Sequence, residues 1–494
     1  MEADKKVNLD IKPVIMLVVD TLMDEPLQEA VNKGRAPALK FLMDKGSYFP
    51  GMVVPFPTMS VNVDTTLLTG TYCDKHHLPG LAWFDERENR LINYGTHYRE
   101  LFKLGFGRAV NDLLFEMNEH HISHEVSTIH EDLEKKGHAS ASINALVYRG
   151  NTAHHVQLSK ILRWLTRIKK NRPMYASRIF SYGSFTRIHP SRKNQYFWKR
   201  LGFNDSSAVQ QITKLLKGKN LPVFSIVYLP ELDQRVHKKG RMDIKGVEQA
   251  DKQLQKILNA YPSWERAIEE SVWITMGDNG QAWVDPNRNK ALINLKKLLK
   301  PYKIMKLRKG VHPYDELVLA VNDRMAYIYT LQSHISLEVI SDILKKDHRI
   351  DVIAWKKNDF IEVRRGGSEA AMRFKPEGEY SDIYGQSWTI SGDLSILDLS
   401  IHNKNIEYDD YPDALARLHS SLNSHEGTFL IVSACPGIEF IGEGSPAHIG
   451  GAGHGGLHKQ DSLVPIIITG TDSQPPQFRM VDLKKWILSL LDIK

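Results

Sequence analysis

The chain reads as an α/β protein with a central, mostly parallel sheet flanked by helices and interrupted by two insertions. Three observations predict this. First, continuous apolar, β-branched runs, the mark of strands buried on both faces, recur at IKPVIMLVVD (Ile11–Asp20), VFSIVYLP (Val223–Pro230), ESVWITMGD (Glu270–Asp278) and LVPIIITG (Leu463–Gly470). Second, helical segments such as APALKFL (Ala36–Leu42) follow the runs, as a chain returning across a sheet requires. Third, several runs end on or near a carboxylate, at Asp20, Asp233 and Asp278. Ligands of open parallel sheets sit beyond the carboxyl ends of the strands, so acids there are placed for chemistry.

Composition bounds the class. The 494 residues are 42% apolar and 25% charged, ordinary for a globular protein and enough for one large core with insertions. The formal charge of +7 points towards an anionic substrate or surface. Only Cys73 and Cys435 occur, which excludes a disulfide framework or a cysteine metal cluster and fits a reducing compartment. No apolar run approaches the roughly 18 residues of a membrane span, and MEADKKVNLDIK has no apolar signal region, so a cytoplasmic location is expected. No Walker-type loop and no G-x-G-x-x-G after a strand is present, which argues against those nucleotide folds.

Taken in order, Ile11–Asp20 is the first buried strand, ending on Asp20. VVPFPTMSVNVDTTLLTG (Val53–Gly70) breaks at Pro55 and Pro57 and enters a helix through hydroxyl residues. A helix start presents unpaired N–H groups and the positive end of its dipole, where a nucleophilic oxygen or a phosphate is stabilised. Thr58 and Ser60 both offer hydroxyls there. Residues 135–215 read as a basic insertion: from Lys135 to Asn204 there is no Asp or Glu, and ILRWLTRIKKNR (Ile161–Arg172) is interleaved with aromatics from Trp164 to Trp198. Such a segment can meet a nucleic acid or an anionic membrane surface, but a solvated cover with inward aromatics is the favoured reading.

The next core stretch, 216–295, holds VFSIVYLPELDQRVHKKG, in which Asp233 and His237 stand four apart and share one face if a helix begins there. A carboxylate and an imidazole together suit zinc, manganese or iron. ESVWITMGDNGQ then ends on Asp278 and Asn279. Residues 296–426 mix a helical pattern (Ile335–Lys346) with short strands and read as an α+β cap insertion. The chain is expected back in the core over 427–494, beginning with GTFLIVSACPGIEF (Gly427–Phe440). The glycine-rich loop that follows carries His448, His454 and His458, and glycine permits the close backbone approach that a ligand histidine needs.

These stretches together resemble the alkaline phosphatase superfamily, within it the type I phosphodiesterase/nucleotide pyrophosphatase branch. The most specific parts are YLPELDQRVHKKG, similar to the family's Y-x-x-E-x-D-x-x-x-H-x-x-G, and GHGGLHKQDSLVPIIITG, similar to its late H-G…P…G motif. The likeness covers residues 10–130, 220–295 and 427–494, the expected core (1–134, 216–295 and 427–494), and implies an alkaline-phosphatase-like fold. It implies two divalent metal ions, zinc first, with manganese or magnesium as alternatives at the second position. Asp233, His237 and His454 would hold the first; Asp20, Asp278 and Asn279 would hold the second, with Ser60 between them as nucleophile and ligand. The family places the reactive hydroxyl nine residues before the Thr of a T-G pair, and counting back from Thr69–Gly70 gives Ser60, with Thr58 as the alternative. His458 is the alternative to His454, but only His454 precedes a glycine. Where the family usually has D-H-G this chain has Asp278-Asn279-Gly280, so a weaker second metal is expected. The family's phosphate-binding Asn has no clear counterpart, and the sulfatase motif is absent around Ser60.

The activity implied is metal-dependent hydrolysis of a small anionic phosphate ester, of the phosphodiesterase or pyrophosphatase kind, through a phospho-serine. A phosphomonoesterase or phosphomutase on the same core, and a metal-binding relative without turnover, are the alternatives.

Overall fold

The computed structural model describes residues 11–155, 163–164, 166–169, 172–183, 185–186, 188 and 203–493. The aromatics Tyr196, Phe197 and Trp198 of the expected basic insertion lie outside them. Seven strands make the central sheet: β1 (Val14–Val19), β2 (Gly46–Val53), β3 (Ser140–Ile143), β4 (Ile179–Ser181), β5 (Phe224–Leu229), β6 (Val272–Met276) and β7 (Leu463–Thr469). Their spatial order is β2-β7-β6-β1-β5-β3-β4. The five from β6 to β4 are parallel, and β7 and β2 close the other edge antiparallel.

All six residues of β1 are buried, because strands lie on both sides of it and helices on both faces. Fully burying each such side chain is worth about 1.5–3 kcal/mol. One face packs on the helix Ser60–Thr69 (α1) and the C-terminal helix Met480–Leu490; the other packs on Pro37–Lys45 and Ile244–Leu258. The register pairs Val19 with Leu229 and Val18 with Met276. That alignment brings Asp20, the start of the helix Glu231–Lys239 (α2) and Asp278 to one sheet edge.

A second, nine-stranded sheet runs in the order 317–322, 325–330, 429–434, 350–357, 360–364, 371–382, 405–408, 399–402, with 387–392 paired to 371–382. Most of its strands fall within 296–426, the stretch expected as an α+β cap, and two segments lie elsewhere than the sequence suggested. Phe429–Ala434 is not a core strand: it lies between Met325–Thr330 and Ile350–Lys357 in the second sheet. An all-apolar run shows that a strand is buried but not in which sheet. Residues 135–215, expected to be an insertion, instead contribute β3, β4 and the helix Asp205–Lys217 to the core. Both strands are short, and SASI is too poor in large apolar residues to read as a core strand. The aromatics Tyr148, Phe180, Tyr182 and Phe185 pack inward. No helix among the described residues is long and apolar enough to cross a membrane.

Candidate functional site

α2 begins two residues after β5 and carries Asp233 in its first turn. His237 follows one turn later, its Nε2 3.1 Å from Asp233 Oδ1. His454 reaches the same carboxylate from the far end of the chain, at 4.0 Å through Nε2. The two-residue ladder Ala282–Trp283 with Ala452–Gly453 delivers it there, just beyond the Asp278–Gln281 turn. Ligand atoms of Asp233, His237 and His454 all lie within 4.8 Å of one another. Each imidazole is fixed through its other nitrogen: His237 Nδ1 bonds Ala452 O at 2.8 Å and His454 Nδ1 bonds Thr58 O at 2.6 Å. In its neutral form, a ring that donates N–H from Nδ1 keeps the Nε2 lone pair free, the arrangement metal-ligating histidines use. Burial alone would raise the Asp233 carboxyl, but His237 and His454 hold it well below the usual range. Burial would lower His237, yet Asp233 raises it to about 9. The donor set of one carboxylate and two imidazoles therefore fits a zinc-class ion.

Gly455 follows His454 for a physical reason. Its φ is +109°, and a Cβ there would lie 2.6 Å from Asn322 O and 2.7 Å from the Met59 side chain. Arg324 N–H donates to His454 O at 3.0 Å, and the fully buried Arg324–Asp461 pair at 2.9 Å anchors the same loop to the second sheet.

The second set is built differently. Asp278 Oδ2 accepts from Tyr228 OH at 2.6 Å, and its Oδ1 accepts from the backbone N–H of Thr21 and of Asn279, each at 2.8 Å. Burial pushes the Asp20 carboxyl up, reinforced by Asp278, Asp233 and Asp64. Asp64, on α1 one turn past Ser60, is raised by burial and by Asp278; its Oδ2 accepts from Leu146 N–H at 3.3 Å while its buried Oδ1 has no partner. Asn279 Oδ1 is 3.1 Å from Thr21 Oγ1, and its buried Nδ2 is unpartnered. The crowded carboxyls of Asp20, Asp278 and Asp64 fit a cation, although the set holds fewer strong donors than the first, and the unpartnered Asn279 Nδ2 is an N–H donor suited to an acceptor oxygen.

Ser60 is the first residue of α1 and half-buried, and no side chain caps that helix start. Thr58, the alternative, is fully buried, and its hydroxyl accepts from Gly455 N–H at 2.7 Å. It is committed to holding the His454 loop, which leaves Ser60 as the accessible hydroxyl. His458 is not at the site: it caps the turn Lys459–Ser462, with Nε2 3.8 Å from Asp410.

Sequence reading missed several residues here. Thr21 is a β-branched residue at φ +64°, a strained conformation kept where neighbours over-determine it. Its hydroxyl lies 3.1 Å from Asp233 Oδ1, Asn279 Oδ1 and Gln281 Nε2 alike, and Gln281 Nε2 also donates to Asp233 at 2.7 Å. His448 stacks on His237 with ring centroids 4.0 Å apart, held by the buried Glu439 at 2.7 Å. Together with Asp323 these two histidines form a further group within 4.8 Å. Position next to Asp20 and Asp278 marked Thr21 and Gln281 in the sequence; nothing local marked Asp64 or Asp323.

Comparison with known proteins bears on this geometry. Residues 14–394 match the family model of type I phosphodiesterase / nucleotide pyrophosphatase. Among solved structures the chain is similar to murine ectonucleotide pyrophosphatase / phosphodiesterase 5, with a TM-score of 0.57 and 13% identity over 98% of this chain and 95% of that one. The human protein of the same name gives 0.56 and 13% over 98% and 95%. An inactive form of the murine protein in complex with AMP gives 0.56 and 13% over 98% and 96%. At that identity the likeness establishes the fold. No curated protein matches the chain.

Proposed function

The chain belongs to the type I phosphodiesterase / nucleotide pyrophosphatase family, and from that premise we propose that it is a divalent-metal-dependent hydrolase of small phosphate diesters acting through Ser60. The convergence of Asp233, His237 and His454 beside the start of α1 carries this reading, because the Thr58–His454 bond ties the metal-ligating loop to the nucleophile's turn. Divalent ions held by Asp233, His237 and His454, and by Asp20, Asp278, Asn279 and Ser60, would supply Lewis acidity to the phosphoryl oxygens and to the serine hydroxyl.

The chain's own groups then have definite tasks. Ser60 Oγ forms the new bond to phosphorus as the ester oxygen leaves with a proton, giving alcohol and a phosphorylated Ser60. Water then attacks the same phosphorus, frees the monoester and restores the hydroxyl. The unpaired N–H groups at the start of α1 stabilise the charged oxygens on both passes. Thr21 and Gln281 hold the Asp233 carboxylate in place, and Tyr228 holds Asp278. The AMP complex of the structurally similar murine protein supports a nucleotide-sized ester as substrate class.

A second reading, a metal-binding relative without turnover, is favoured by one observation, the neutral amide at Asn279. Elemental analysis combined with a nitrophenyl phosphodiester assay separates the two. Ser60→Ala is expected to retain the metal and lose activity by at least roughly a thousandfold. Metal without turnover on any ester supports the second reading, and full activity in Ser60→Ala removes the serine from the mechanism. Release of inorganic phosphate from a monoester would instead favour the phosphomonoesterase alternative.

A further inference from the structure

Away from the metal-ligating residues, a cavity of about 1320 Å³ opens between residues 90–93, 103–112, 166–169, 172–173 and 305–310. Among its described lining residues are eight arginines and lysines and a single carboxylate, Asp112. Three of the cations are neutralised: Arg90 by Asp112 at 2.6 Å, Lys103 by Glu443 at 3.1 Å and Arg172 by Glu119 at 2.8 Å. The other five, Arg108, Arg167, Lys169, Arg308 and Lys309, have no acidic partner among the described residues, and all five are exposed. They come from three separate segments of the chain, so no local charge run explains their meeting. Like charges gathered around one concavity repel one another and focus a positive potential into it. Such an arrangement is unfavourable for folding and favourable for holding an anion.

We propose that this cavity binds a compact ligand bearing several phosphate groups. Three features define the class. Multiple unpaired cations on different walls match a ligand with several charged oxygens better than a single phosphate. Arginine supplies the planar, paired donors that phosphate oxygens accept. None of the described lining residues is aromatic, so the stacking platforms that single-stranded nucleic acid uses are missing from this site. The ligand is either a free polyphosphorylated molecule or the headgroup of a lipid. The second source has its own signal: Phe102 and Trp164, within two residues of lining positions, are 69% and 79% exposed, as residues that dip into a membrane interface are. Glu443, which binds Lys103 and accepts from Leu307 N–H at 3.2 Å, lies five residues before His448.

The test compares the full-length wild type with the triple variant Arg108→Gln, Arg308→Gln and Lys309→Gln, both loaded identically with metal. Inorganic tripolyphosphate is titrated by calorimetry, with orthophosphate and a single-stranded oligonucleotide as controls. Binding at the metal centre is common to both proteins, so the difference between them reports the cavity. The expected result is that the variant binds tripolyphosphate roughly a thousandfold more weakly, since each of three lost charge-assisted contacts costs about tenfold. Its unliganded melting temperature should not fall, because removing like charges relieves repulsion. Equal tripolyphosphate affinity in the two proteins overturns the proposal, as does an oligonucleotide that depends on these three residues when tripolyphosphate does not. Sedimentation with phosphatidylcholine vesicles, with or without phosphatidylinositol bisphosphate, assigns the source. Binding to the phosphorylated vesicles that is lost in Phe102→Ser, Trp164→Ser, with tripolyphosphate affinity retained, identifies the headgroup; tripolyphosphate binding alone identifies the free anion. The inference does not need turnover: if neither protein hydrolyses any diester, the hydrolase reading fails and the calorimetric difference still decides this one.

Discussion

The two donor sets of the candidate centre lie at the same sheet edge and solve the problem of buried charge in opposite ways. Asp233 is balanced by two imidazoles, each locked by a bond from its Nδ1 to a backbone carbonyl, so that carboxyl is held low. Asp20 is pushed up by burial and by three acidic neighbours, and its carboxylate lies 3.5 Å from the Thr21 hydroxyl. The first set is prepared to take a metal with little rearrangement. The second accumulates charge that a cation must neutralise, and Asn279 contributes no negative charge and no imidazole to bind that cation. The difference teaches that two sites in one pocket can differ in affinity through their fixed partners as much as through the ligands themselves.

That contrast can be broken or sharpened experimentally. The largest effect below that of Ser60→Ala is expected from Asp233→Asn. It should remove one metal equivalent in elemental analysis and weaken that ion by more than the roughly 10–100-fold that losing an outer partner costs. If Asp278→Asn strips the tighter ion instead, the ranking of the two sets is reversed. Next comes Asn279→His, which restores an imidazole to the second set. Competitive titration with a chromogenic chelator should show the weaker ion binding about tenfold tighter, and no change in either ion would mean that Asn279 does not face it.

The smallest effect concerns Asp64. Its folded carboxyl titrates above the ordinary range, so the folded state binds the proton more tightly than the unfolded chain. Stability from this group is therefore fully present at low pH and is lost as pH rises from the ordinary carboxyl range through the raised folded value. In metal-free protein, Asp64→Asn should stabilise by about 1–2 kcal/mol at neutral pH. Urea denaturation between pH 4 and 8, on the order of the usual working range, should show a flatter stability profile for the variant. An unchanged profile would place the excess charge elsewhere.

Much of this site was legible because the chemistry sits where strands stop. Asp20, Asp278 and the Asp233–His237 pair each adjoin an apolar run that declares itself through composition alone. The choice of Ser60 over Thr58 rests on the spacing that the family resemblance implies, whereas the Thr58–Gly455 bond is a contact that no spacing contains. Other parts were not legible. β3 and β4 are four and three residues long and sit within a basic stretch, so no periodic signal marks them as core strands. Phe429–Ala434 has the right composition for the central sheet and pairs in the other one.

The sequence by itself determined the α/β class, the strand ends that bear acids, and the type of donor each position offers, because these depend on residues a few positions apart. Tertiary structure alone decided that His448 stacks on His237, that Asp64 crowds Asp20 and Asp278, and that cations from three distant segments share one cavity. The physical reason is that charge interactions depend on separation in space and on burial. Both are set by how sheets and loops pack, long after the local pattern has been read.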